Sequence, residues 1–149
     1  MSSYTDGVVL QQRDGTDLFN IFHSFYYHVG SKDSGDWVFI DQGVPTDGNS
    51  RPWFFGWLVP QFGRYTKAAV IHDKLYAHPW VYVSRLDEQL RVSRKEADKI
   101  FLEALLVLGC PPKLARFEYR MLRMFGGRAW RKHRSRDIGG VKTERITKD

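Results

Sequence analysis

Hydrophobic and polar positions in the first third of the chain alternate with a period of two. Leu18, Asn20, Phe22 and Ser24 alternate with Phe19, Ile21, His23 and Phe25, the signature of a half-buried strand. Before them Val8 to Leu10 is a short β-rich run, followed by the turn signal Arg13-Asp14-Gly15-Thr16. Gly30-Ser31-Lys32-Asp33-Ser34-Gly35 marks another turn, and Trp37 to Ile40 a further strand. The N-terminal part therefore predicts a small antiparallel sheet. After Pro45 the texture changes to an aromatic stretch punctuated by Gly and Pro, and Pro52 suits the first turn of a short helix.

Beyond this stretch the period becomes that of a helix. Tyr65 to Ala77 places Tyr65, Ala68, Ala69, His72 and Tyr76 on one face, with Lys67 and Lys74 opposite at about 100° per residue. Ser93-Arg94-Lys95-Glu96 is a capping box, in which the serine hydroxyl and the glutamate carboxylate serve each other's backbone N–H groups. The helix it starts carries Ala97, Ile100, Phe101, Ala104, Leu105 and Leu108 and ends at Gly109. Pro111-Pro112 separates it from a third helix, whose apolar positions Leu114, Phe117, Met121 and Met124 precede Gly126-Gly127. The pattern predicts an α+β fold, a small N-terminal antiparallel sheet followed by a core of about three antiparallel helices. Residues 1–136 read as one domain and 137–149 as a C-terminal tail, frayed or ordered by a partner.

Composition agrees with this picture and narrows it. With 149 residues, 42% hydrophobic and 15% aromatic, the chain can build one real core and is too rich in apolar groups for disorder. Its single cysteine, Cys110, excludes an internal disulfide framework and reads as a small buried residue near a helix end. No window approaches the roughly 18 apolar residues of a membrane span, and the N-terminus lacks the pattern of a signal peptide. The expected location is thus the cytoplasm of the cell that makes the protein. The net charge of +6 is unevenly placed. Residues 113–149 hold 12 Lys/Arg against 4 Asp/Glu, while residues 1–112 hold 11 against 13. Arg116, Arg120 and Arg123 recur at helical spacing, and Arg128, Arg131 and Arg134 follow. Such a basic surface suits an acidic partner, an anionic membrane or the phosphates of nucleic acid; the alternative is a solvated helix face.

Candidate chemistry concentrates in His72-Asp73 and in Glu96-Ala97-Asp98. His72 falls in the middle of a buried face, where an imidazole needs a hydrogen-bond partner. Asp98 lies at the margin of the next helix's stripe, about 20° from Leu105, where helix packing brings its carboxylate to His72. An oriented His–Asp pair can act as a general base. Asp73 projects about 100° away from His72, free for a metal or a substrate group. The competing reading makes His72, Asp98 and Tyr76 a buried polar network that fixes helix register without chemistry. In Val44 to Pro52, Asp47 and Asn49 flank a glycine; they form a turn, or supply hard oxygen ligands for calcium or magnesium. Trp53, Phe54 and Trp57 are candidates for contact with a partner or membrane if exposed.

In order along the chain, Val-Pro-Thr-Asp-Gly-x-Ser-x-Pro from Val44, Ala-Ala-x-Ile-His-Asp-x-Leu-Tyr from Ala68, Glu-Ala-Asp at Glu96 and the Phe125-Gly126-Gly127 to Trp130 ending resemble an uncharacterised domain-of-unknown-function family common in tailed bacteriophages and prophages. That resemblance implies phage origin and a role in the virion, in lysis or in host takeover, with virion proteins or the cell envelope as partners. His-Asp-x-x-Tyr at His72, with an Asp on a second helix, is more weakly similar to the phospholipase A2 superfamily. Carried over, His72 becomes the base that activates water, Asp73 a calcium ligand, and Tyr76 and Asp98 the groups that orient His72. The chain departs from that superfamily in having no disulfides and no glycine-rich calcium loop. Three functions follow as expectations: a small hydrolase acting on a lipid or other cell-envelope ester; a non-enzymatic tail or baseplate component of the virion; and an intracellular protein that binds nucleic acid through its basic C-terminus.

Overall fold

A computed structural model describes residues 10–12, 18–21, 24–31, 34–40, 45–47 and 65–137, with side chains over 24–31, 34–40 and 65–134. The fold is α+β. Strands β1 (Leu10–Gln12), β2 (Leu18–Ile21) and β5 (Pro45–Asp47) form a three-stranded antiparallel sheet in the order β1-β2-β5, with Phe19 opposite Thr46. Strands β3 (Phe25–His28), β4 (Asp36–Ile40), β6 (Trp80–Val83) and β7 (Glu88–Arg91) form a four-stranded antiparallel sheet in the order β3-β4-β6-β7.

The alternation from Leu18 to Phe25 does not belong to one strand. It divides between β2 and β3, which pair in different sheets, because a period of two records which side is buried and is blind to a change of partner. In the larger sheet Phe25, Tyr27, Val38, Ile40, Val81 and Val83 point into the core. Its outer face carries an aromatic ladder, with Trp37 4.4 Å from Tyr82 and 5.1 Å from Tyr26 between ring centroids. Such cross-strand ring pairs stabilise a sheet by roughly 0.2–1 kcal/mol each. Two of its strands, β6 and β7, arrive after the first helix as a hairpin turned by a 3-10 segment, Ser84–Leu86, and by Asp87 at φ 51°.

Among the described residues four helices follow the aromatic stretch: α1 (Thr66–Ala77), α2 (Arg94–Val107), α3 (Pro112–Phe125) and α4 (Gly127–Asp137). The capping box at Ser93 and Glu96 is formed in both directions. Gly109 adopts φ 84°, and its N–H and that of Cys110 return to the carbonyls of Leu106 and Leu105 at 3.0 Å each, which closes α2 with a Schellman turn. Pro112 opens α3 at once. Ala68, Ile71, Leu75, Ala97, Phe101, Ala104, Leu105 and Leu122 make the core between the first three helices and the sheet. Among the described residues no helix is long and apolar enough to cross a membrane.

The rotation of α3 departs from its apolar spacing. Its buried residues are Ala115, Glu118 and Leu122, whereas Phe117 and Met124 are 44% and 70% exposed and Leu114 and Met121 are half-buried. The physical reason lies in the polar bonds that α3 makes at its C-terminal end, described next. The fourth helix goes beyond the three that the pattern predicts: the basic run after Gly127 is helical, with Ala129 and Trp130 packed on the core. The helix expected at Pro52 and the tail beyond Asp137 lie outside the described residues.

Candidate active site

Three side chains from two helices meet at one carboxylate on a third. Asp98 of α2 is fully buried. The Nε2 of His72 lies 3.1 Å from its Oδ1, the Tyr76 hydroxyl donates to the same oxygen at 2.7 Å, and Nη1 of Arg123 donates to Oδ2 at 2.7 Å. One helical turn separates His72 from Tyr76, so both face α2 from α1. Their ring centroids lie 4.1 Å apart with the planes tilted by 44°, and the Phe101 ring lies 5.0 Å from the imidazole.

Burial by itself pushes the Asp98 carboxyl up, but hydrogen bonds from His72, Arg123 and Tyr76 outweigh it and hold the group below the usual carboxylate range. Asp98 is therefore an anion and can only accept, so Nε2 of His72 donates to it. Burial first, and then the Asp98 charge, push the Tyr76 hydroxyl well above its ordinary value, so it remains a donor. A His–Asp contact of this kind can orient an imidazole. About 9% of the His72 side-chain surface is accessible.

Two residues that the spacing did not single out hold this cluster in place. Arg94, one turn before Asp98 on α2, donates to the carbonyls of Leu122 and Arg123 at 3.3 and 3.2 Å. These bonds tie α2 to the end of α3, where the Leu122 carbonyl also accepts the Gly126 N–H, and together with the Arg123–Asp98 bond they match the observed rotation of that helix. Gly126 allows close approach, since a Cβ there would lie 2.7 Å from the Tyr76 hydroxyl and 2.6 Å from the Leu122 carbonyl oxygen. The sequence signal for Gly126 was present, but it also reads as a plain helix stop.

The other candidate residues are dispersed. Asp73 is exposed. Asp47 lies in β5, where its backbone pairs with Leu18; its side chain, and all of Asn49, Trp53, Phe54 and Trp57, lie outside the described residues. Among the described residues no three His, Cys, Asp or Glu side chains converge as a metal site. Arg116, Arg120, Arg128 and Arg131 are exposed. Arg134 instead turns inward, where its Nη2 donates to the carbonyls of Tyr76 and Ala77 at 2.6 and 2.9 Å. A cleft of about 520 Å³ lies on the other side of α2, between Val81, Val83 and Leu90 of the sheet and Lys99, Ile100 and Glu103 of the helix, and does not reach His72.

A family described as protein of unknown function (DUF1353) matches residues 19–121, more than half of the chain, a span that includes His72, Tyr76 and Asp98. No curated protein matches the chain, and no solved structure does.

Proposed function

Because the chain belongs to the DUF1353 family, whose description carries no reaction, we propose from the site itself that it is a small hydrolase acting on a lipid or other cell-envelope ester. The observation that supports this reading is the His72–Asp98 contact, with Tyr76 and Arg123 completing the coordination of the carboxylate. In the proposed step Nδ1 of His72 takes a proton from water as the water oxygen attacks the ester carbonyl. The imidazolium so formed, stabilised by Asp98, then gives the proton to the departing alkoxide as the C–O bond breaks. The proposal includes a phage-encoded accessory protein, made in the host cytoplasm, and calcium-ligand roles for Asp73, Asp47 and Asn49; no step above depends on the metal.

The test is a panel of soluble esters and phospholipids, with calcium and with a chelator. His72→Ala should abolish turnover while the protein remains folded, and Asp98→Asn should lower it by about 10²-fold or more through misorientation of the base. A second reading rests on the small accessible surface of the His72 side chain. There the network only fixes the packing of α1, α2 and α3 in a tail or baseplate protein of the virion. It requires no turnover by the wild type and a lower melting temperature in both variants.

A further inference from the structure

The solvent face of α3 is not uniformly polar. At about 100° per residue, Lys113, Arg116, Phe117, Arg120 and Met124 share one side of the helix, opposite the buried Ala115, Glu118 and Leu122. Phe117 is 44% exposed and Met124 70%. Isolated exposed apolar residues need no explanation, but these two lie on one face among three cations. The sequence around this face is also poor in acidic residues. From residue 113 to residue 136 the only acidic side chain is Glu118, and it is fully buried.

Cations for headgroups and large apolar side chains for the acyl boundary are the two components of a helix that lies in a membrane interface. We infer that the outer face of α3 docks on an anionic lipid surface, with Lys113, Arg116 and Arg120 at the phosphates and Phe117 and Met124 inserted between the acyl chains. Two other occupants fit less well. A second copy of the chain would bring like charges together across a self-complementary contact. Nucleic acid would use the cations but would leave Met124 against sugar and phosphate, where an apolar chain gains little. The inference needs no turnover, so it stands whether or not the His72 site is hydrolytic.

The experiment is co-sedimentation of the whole protein with vesicles of equal phosphatidylglycerol and phosphatidylcholine, and with phosphatidylcholine alone, at about 0.1 M salt where charges still act over roughly 10 Å. Binding to the anionic vesicles should exceed binding to the neutral ones by about tenfold or more, given three cations at the surface. Phe117→Ser with Met124→Ser should weaken it about tenfold with no fall in melting temperature, because both side chains are exposed. Arg116→Gln with Arg120→Gln should weaken it by a similar factor. Equal binding to both vesicle types, or anionic binding indifferent to the serine pair, would overturn the inference. So would tighter binding of a duplex DNA oligonucleotide that depends on the arginines and not on Phe117 and Met124.

Discussion

Glu118 is the residue whose environment is least like its chemistry. It lies on the buried stripe of α3 with no exposed surface, and among the described residues neither carboxylate oxygen has a hydrogen-bond partner. Burial pushes its carboxyl up from 4.5 to about 7. The Cys110 thiol nearby is itself pushed up by burial. A carboxyl whose value is raised on folding binds its proton more tightly in the folded state. Its contribution is therefore greatest at acid pH, declines as pH rises from about 4.5, and is lost above about 7. The loss amounts to about 3 kcal/mol. Asp98 has the opposite sign: its carboxyl is lowered, so its stabilisation is present at neutral pH and disappears only as pH falls below the ordinary carboxylate range. Urea unfolding between pH 5 and pH 8 should show falling stability in the wild type and a flat profile in Glu118→Gln. An unchanged slope in that variant would show that another group carries the effect.

At the scale of elements, what the sequence made legible was whatever a single helix or strand decides. The capping box at Ser93, the Gly109 stop and the buried face of α1 follow from local spacing, and so does the approach of His72 to Asp98, since each sits on or beside its helix's apolar stripe. The rotation of α3 does not follow, because it is decided by another helix: Arg94 holds the carbonyls of Leu122 and Arg123, and Arg123 is drawn to Asp98. With those bonds made, Ala115 and Leu122 lie inside and Phe117 and Met124 outside, although the larger side chains would bury more apolar area. The β6–β7 hairpin is not legible for a different reason, since Trp80-Val81-Tyr82-Val83 is too short a run to separate strand from the end of a helix. The junction of α3 and α4 provides a test. Gly126→Ala would place its methyl against the Tyr76 hydroxyl and the Leu122 carbonyl, at a cost of about 1–3 kcal/mol from overpacking. If the hydroxyl is the main obstacle, the same substitution in a Tyr76→Phe background should cost about 1 kcal/mol less. Additive losses in chemical denaturation would place the strain at the carbonyl instead.

For the whole molecule, the basic last quarter serves two purposes that charge alone does not distinguish. Arg116, Arg120, Arg128 and Arg131 face solvent, but Arg123 and Arg134 are structural. On α4 the Trp130 ring meets Tyr76 edge-on at 5.1 Å, and the Arg134 guanidinium sits 4.9 Å from the centre of that indole while it donates to the last carbonyls of α1. A cation there also favours the negative end of the α1 dipole. The helix thus clamps the end of α1 that carries Tyr76, and through Tyr76 it reaches Asp98. Removing the chain after Gly127 should destabilise the protein by about 3 kcal/mol or more, since it deletes a large aromatic contact and a charged hydrogen-bond donor together. Arg134→Ala alone should lose about 1–2 kcal/mol of this. Truncation leaves every residue of the α3 outer face in place, so anionic vesicles should still be bound wherever the shortened protein is folded. Urea unfolding measures the first effect and sedimentation the second. A truncated protein as stable as the full chain would mean that Trp130 and Arg134 add nothing to the fold, and α4 would then be a solvated basic helix after all.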